Sequence, residues 1–225
     1  MNLAVFDIDG TLTNTNKVDG ECFQKTFETL HGLSDVSSDW SAYRHSTDSG
    51  IVNEVFKTRL KREPSSQDLL GFIDQFIREF KKIHAINPLE FSEIQGATEC
   101  IRNLPAMGWR ISISTGAWRR SAEFKLSKAS FHYEKIPSAF AEDAFDRTKI
   151  IERSIERAKQ EYQTEKFKRI VYIGDGNWDH KAASQLKLPF VRIGKISSES
   201  LWLKDYSHSK QVLEALENAY VPSTP

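Results

Sequence analysis

Cysteine is almost missing from this chain: its 225 residues hold two, Cys22 and Cys100, with no Cys-x-x-Cys pair. That excludes a disulfide scaffold and a dithiol redox motif, and leaves small buried thiols in a reducing compartment as the expectation. Long apolar runs are missing too. No stretch approaches the roughly eighteen residues that a membrane helix needs, and no segment has the order of a secretory leader. The reading is a soluble, cytoplasmic protein with no membrane partner. An excess of either charge is also absent, since 31 Lys and Arg balance 31 Asp and Glu. Without a basic stripe or an aromatic-interleaved Lys/Arg cluster, nucleic acid is not expected as a partner. Pairs such as Lys61-Arg62, Lys81-Lys82 and Arg119-Arg120 read as solvated helix faces. The 6 histidines show no metal-ligand spacing. There is no internal repeat, and only Val221 to Pro225 reads as a frayed end.

What is present is acid at strand ends. Leu3-Ala4-Val5-Phe6 is a short apolar run that delivers Asp7-Ile8-Asp9-Gly10-Thr11, two carboxylates one residue apart followed by a turn glycine. In an α/β sheet, ligands sit beyond the carboxyl ends of the strands, so both acids should emerge where a substrate can reach them. Carboxylate oxygens are also natural Mg²⁺ ligands. A plain Asp-Gly turn is the other reading of the segment taken alone. The same grammar returns where Ile170-Val171-Tyr172-Ile173 runs into Gly174-Asp175-Gly176-Asn177-Trp178-Asp179. A calcium loop is ruled out there, because His180 stands where that pattern needs Gly and Leu186 where it needs Glu.

Between the first acidic strand and the next strand the gap is too long for one crossover. From Lys17 to Asn87 apolar residues fall at helical spacing, as in Cys22-Phe23-Phe27-Leu30, Ile51-Val52-Val55-Phe56 and Leu69-Phe72-Ile73-Phe76-Ile77-Phe80. Gly32, Asp48-Ser49-Gly50 and Pro64-Ser65-Ser66 punctuate this stretch. The expectation is a helical bundle over residues 17–87, inserted into a core formed by residues 1–16 and 88–225. The chain length accommodates both. After Asn87 helix and strand alternate, with strands at Arg110 to Ser114, near Phe140, at Ile170 to Ile173 and at Phe190 to Ile193. That alternation implies an α/β fold, a Rossmann-like parallel sheet covered on both faces.

With these segments in place, the chain resembles the haloacid dehalogenase superfamily of aspartate-nucleophile hydrolases. Its first motif, Asp-x-Asp-Gly-Thr after a strand, matches Asp7 to Thr11, and its fourth, Gly-Asp with an Asp four residues on, matches Asp175 and Asp179. The second motif, a strand ending in Ser or Thr, matches Thr115 before Gly116, with Ser114 as competitor. The third is a lysine at a helix start, for which Lys149 in Asp146-Arg147-Thr148-Lys149 fits the family's order, whereas Lys125 and Lys128 come too early. The resemblance implies a five-stranded core with the Asp7 strand between the Thr115 and Asp175 strands. It also implies that the helical insertion is a cap like that of the phosphoglycolate phosphatase and β-phosphoglucomutase branch.

The function so implied is a Mg²⁺-dependent phosphatase acting on a small phosphate monoester of a metabolite through an aspartyl phosphate, as a monomer or homodimer. Asp7 would be the nucleophile and Asp9 the acid and base. Asp7, Asp175 and the Asp9 backbone would hold the metal. Thr115, Lys149 and the amides of Ile8, Asp9 and Gly116 would cradle the phosphate, while Asp179 would orient Lys149 or a metal-bound water. Asp179 also reads as a helix N-cap. Two alternatives share the motifs, a phosphomutase and a non-catalytic binding module of the same fold. In the insertion, Arg44 offers a planar fork suited to a substrate carboxylate, or is a surface residue beside His45. Trp118 reads as a wall of the mouth and Trp178 as packing under the acidic loop.

Overall fold

The computed structural model describes residues 1–194, 196, 198 and 200–222, so residues 223–225 of the expected frayed end lie outside it. Six strands form one parallel sheet: β1 (Asn2–Phe6), β2 (Trp109–Ser114), β3 (Ser138–Ala139), β4 (Ile170–Gly174), β5 (Phe190–Ile193) and β6 (Leu201–Leu203), in the order β3-β2-β1-β4-β5-β6. β1 therefore lies between β2 and β4, which brings the three motif-bearing strand ends to one edge. The sheet has one strand more than the five expected. β6 is a three-residue edge strand paired only to β5, too short to announce itself by alternation.

Alternation along β1 shows why the sheet is covered twice. Ala4 and Phe6 point into one core cluster, with Ala97 and Ile101 of α4 (Ala97–Asn103), Ala122 and Leu126 of α5 (Arg119–Lys128), and Val212 and Leu216 of α8 (Ser209–Asn218). Leu3 and Val5 point the other way, onto Ile151 and Ala158 of α6 (Arg147–Glu161) and Ala182 and Ala183 of α7 (Asn177–Leu186). A period of two across a strand buried on both faces produces this split.

The segment between β1 and β2 is helical, with α1 (Asn16–His31), α2 (Asp48–Val55) and α3 (Ser66–Ile86). Its punctuation works by ordinary capping. Gly32 ends α1 at a φ of 66°, Thr47 accepts the Gly50 N–H at the start of α2, and Ser65 with Asp68 forms a capping box for α3. The phenylalanine stripe packs into a cluster of its own. Phe23, Phe27, Phe72, Phe76 and Phe80 are buried together, and Trp118 of the α/β core inserts among them with ring centroids 5.6 Å from Phe72 and 6.2 Å from Phe76. Cys22 and Cys100 are buried and free. Among the described residues no helix is long and apolar enough to cross a membrane.

The helical segment leaves and re-enters the core at one place. The Asn14 N–H donates to the Ser92 carbonyl at 2.8 Å and the Ile94 N–H to the Leu12 carbonyl at 2.9 Å, so the outgoing and returning chains run as an antiparallel pair.

Candidate active site

Asp7 follows the last residue of β1 and its N–H donates to the Ile173 carbonyl at 2.9 Å, which holds it against the end of β4. The residue is buried, 3% exposed. Oxygens of Asp7, Asp175 and Asp179 all lie within 4.8 Å of one another. Gly10 permits this crowding: at a φ of +70°, a Cβ there would stand 2.3 Å from the Asp175 Oδ2. Burial first, and then the Asp179 charge, hold the Asp7 carboxyl well above its usual range, with Arg147 offsetting part of the rise. Burial and Asp179 likewise push Asp175 up to about 7, against the lowering effect of the Asn16 amide that donates to its Oδ2 at 2.6 Å.

Among the described residues one cation answers these acids directly, Arg147. Its Nη1 donates to Asp179 at 2.8 Å and to Asp7 at 3.2 Å, and its Nη2 to the Ser46 backbone carbonyl at 3.1 Å. Asp179 is spent on fixing this arrangement. Its Oδ1 also accepts the Tyr172 hydroxyl at 2.7 Å, and its Oδ2 accepts the Gly176 N–H at 3.0 Å in the first turn of α7. The expected pairing of Asp179 with Lys149 is therefore corrected. The Lys149 ammonium is 65% exposed and bonds Glu152 at 2.8 Å, away from the acids. The physical reason is helical geometry. Asp146 caps α6, so Arg147 is its first residue, and Lys149, two residues on, points to nearly the opposite side.

Thr115 stands where β2 ends and lines a narrow cavity with Asp7, Asp9, Gly116, Ser46, Asp48 and Arg147. Ser114, its competitor, is buried in the strand with an unpartnered hydroxyl and does not line this cavity. Ile8 is fully buried in the sheet core, which leaves its backbone alone for the site. A Cβ on Gly116 would lie 2.5 Å from Arg147 Nη2 and 2.7 Å from the Ser46 carbonyl, so the turn after β2 admits glycine only.

The residues present suit a divalent cation. Asp175 Oδ1 is buried with no hydrogen-bond partner, Asp7 lies beside it, and three acids here face a single guanidinium. The oxygens of Asp179 are already taken by three donors, which leaves Asp7 and Asp175 as the side chains free to ligate. The Asp9 side chain lines the same cavity but lies outside this three-acid group.

The haloacid dehalogenase-like hydrolase family model matches residues 4–193, a span that includes every one of these acids. The chain belongs to that family. No curated protein sequence matches it. Among solved structures, a hydrolase from Pseudomonas syringae is similar with a TM-score of 0.65 at 15% identity, covering 86% of this chain and 85% of that one. CbbY from Rhodobacter sphaeroides, in complex with phosphate, has a TM-score of 0.66 at 16% identity, covering 92% and 95%. A predicted phosphoglycolate phosphatase from Haemophilus somnus has a TM-score of 0.59 at 14% identity, covering 94% and 97%. At these identities the likeness is one of fold.

In this member of the haloacid dehalogenase-like hydrolases, Asp9 is held by two donors. The Thr15 hydroxyl donates to its Oδ1 at 2.5 Å, and the Lys125 ammonium to its Oδ2 at 2.6 Å. Lys125 is fully buried and also bonds Asp19 of α1 at 2.8 Å. The sequence reading set Lys125 aside on its order in the chain. It missed Arg147 too, although Asp146 as an N-cap signals which residue begins the helix.

The helical region is docked onto the site. The Asp48 N–H donates to the Gly116 carbonyl at 2.8 Å, Asp48 Oδ2 accepts the Trp118 N–H at 2.9 Å, and the Trp118 indole donates to the Ser49 hydroxyl at 2.7 Å. The Thr47 hydroxyl donates to the Phe145 carbonyl at 2.8 Å, just ahead of α6. Arg44 and His45 line a wider outer cavity that shares Trp40, Ser46, Arg147 and Trp178 with the inner one. Trp178 thus stands at the junction of the two, with its indole against Gly176, instead of lying under the acidic loop.

Proposed function

We propose that the chain is a phosphatase that hydrolyses a phosphate monoester of a metabolite through Asp7. The observation that carries this reading is Asp7 at the base of a narrow cavity whose other walls supply Arg147, Thr115 and the turn at Gly116. A phosphate dianion repels a carboxylate, so attack by Asp7 requires positive charge and donors around the phosphoryl oxygens. Arg147 supplies a planar cationic fork, Thr115 a hydroxyl, and the turns after β1 and β2 their amides. Mg²⁺ held by Asp7, Asp175 and the Asp9 backbone would neutralise charge on the phosphoryl group.

In the first step an Asp7 oxygen forms a bond to phosphorus, the ester P–O bond breaks, and Asp9 as a carboxylic acid gives its proton to the departing alcohol. In the second, Asp9 takes a proton from water as that water attacks the aspartyl phosphate, whose P–O bond to Asp7 breaks to release phosphate. The helical region serves as a cap. It closes the inner cavity through Ser46 and Asp48, so it excludes water during chemistry and presents Arg44 toward the rest of the substrate.

The test is phosphate release from p-nitrophenyl phosphate and a panel of alkyl phosphates (phosphoglycolate, glycerol 3-phosphate, hexose phosphates), with Mg²⁺ and with chelator. Magnesium-dependent release that Asp7→Asn abolishes is the expected result. No release from any ester removes the reading, whereas interconversion of sugar phosphates without release selects the mutase.

A further inference from the structure

Among the described residues Lys125 is the one lysine with a fully buried side chain, and it does not line the inner cavity. Lys125 belongs to α5 of the core, yet its ammonium lies where the core meets the helical region. It donates to Asp9 Oδ2 at 2.6 Å and to Asp19 Oδ1 at 2.8 Å, and it stands 5.7 Å from the Phe80 ring centroid of α3. Taking an ammonium out of water is unfavourable by several kcal/mol unless a carboxylate compensates it. Here two acids bond it directly, and the charge of Asp48 adds to theirs. Both bonded acids line the inner cavity, but from different places: Asp9 from the site loop after β1, and Asp19 from the first turn of α1.

We propose that Lys125 and Asp19 form a holder for Asp9: the ammonium sets the orientation of the Asp9 carboxylate, and Asp19 lets Asp9 leave that bond without stranding a bare buried charge. Asp9 is fixed from its other side by the Thr15 hydroxyl, which in turn bonds the Thr13 hydroxyl at 2.7 Å, so both of its oxygens are engaged in the resting arrangement. For Asp9 to reach a leaving alcohol one of these bonds must open. With Asp19 in place, opening the bond to Lys125 loses one charge-assisted hydrogen bond while the ion pair persists. Without Asp19 the same movement would leave the ammonium with no hydrogen-bonded carboxylate and only the charge of Asp48 nearby, and Asp9 would stay where it is. Lys125 is thus a positioning residue, acting through Asp9 and never touching substrate, and the inference rests on the phosphatase reading above.

The experiment compares kcat/KM for p-nitrophenyl phosphate with that for the best alkyl phosphate of the panel, in wild type, Asp9→Asn, Asp19→Asn and the double variant Lys125→Met with Asp19→Asn. The double variant replaces the buried pair with neutral groups of similar size and keeps either charge from being left alone. Asp19→Asn by itself retains Lys125 with Asp9, and so tests the idea even if the double variant does not fold. An alkoxide departs poorly without a proton, whereas p-nitrophenolate departs readily. The holder therefore predicts a loss of about 10- to 100-fold on the alkyl ester, within the range that a positioned acid supplies, and less than about threefold on the aryl ester, the pattern Asp9→Asn should set. Equal losses on both esters, as from loosened packing, overturn the inference, and so does an unchanged ratio. If wild type releases phosphate from neither ester, the phosphatase reading falls and takes this inference with it; if wild type is active and only the ratio fails to move, the phosphatase reading stands alone.

Discussion

At the scale of single residues, the difference between Arg147 and Lys149 is the sharpest. A guanidinium can bond two acids and a carbonyl at once because its donors fan out in a plane, and Arg147 does so with Asp7, Asp179 and Ser46. An ammonium two residues along the same helix reaches none of them. Arg147→Met should lower kcat by roughly 100-fold, the scale of one lost charge-stabilising group, while Lys149→Met should stay within about twofold because an exposed pair contributes little; steady-state kinetics of the two variants decides it. The acids themselves were legible in the sequence, since a short apolar run ending in Asp-x-Asp-Gly or Gly-Asp-Gly is a local pattern. Lys125 and Arg147 were not, because what singles them out is the burial of one and the reach of the other across more than a hundred residues, which no local window contains.

Among the elements, the ends of helices carry most of the assembly. α2 begins against the turn after β2: its cap Thr47 bonds Phe145 of the core as well as Gly50 of its own helix, and Asp48, the first helical residue, accepts the Trp118 N–H. Punctuation of this kind is written in neighbouring residues, which is why Gly32, Asp48-Ser49-Gly50 and Ser65 mark the helix boundaries in the sequence. β6 and α8 were not read. The first is three residues long, and the second, with Val212, Ala215 and Leu216 buried, follows loops that break the alternation of helix and strand. Docking at Gly116 leaves no room for a methyl group. Gly116→Ala should push Ser46 and Arg147 apart, destabilise the fold by about 1–3 kcal/mol as overpacking does, and lower turnover; urea unfolding and kinetics on the same preparation would show both, and wild-type values for both would mean that the turn yields more easily than its contacts indicate.

For the whole molecule, buried acids govern the dependence on pH. Burial lifts Asp19 to about 6 and Asp175 to about 7, and holds Asp7 and Asp48 well above their ordinary values. The folded chain therefore binds more protons at these sites than the unfolded chain does, and their contribution to stability declines as pH rises from about 4 to about 7. In chelator, the melting temperature of wild type relative to Asp19→Asn should fall between pH 4.5 and 6.5; a constant difference would mean that Asp19 titrates normally. Mg²⁺ should raise the melting temperature more at pH 7.5 than at pH 5, because its ligands must be deprotonated, and an equal rise at both would place the ion elsewhere. The chain pair at Leu12–Asn14 and Ser92–Ile94 bears on how such a molecule changes over time. Because departure and return are a hydrogen bond apart, everything between them is attached at one seam. A different insert can be grafted there without respacing the strands, provided that it offers an apolar face to Trp118 and Phe91. The acids below would then receive a new choice of substrate, and would keep their geometry only where the new insert also supplied what Asn16, Asp19 and Ser46 give to Asp175, Lys125 and Arg147.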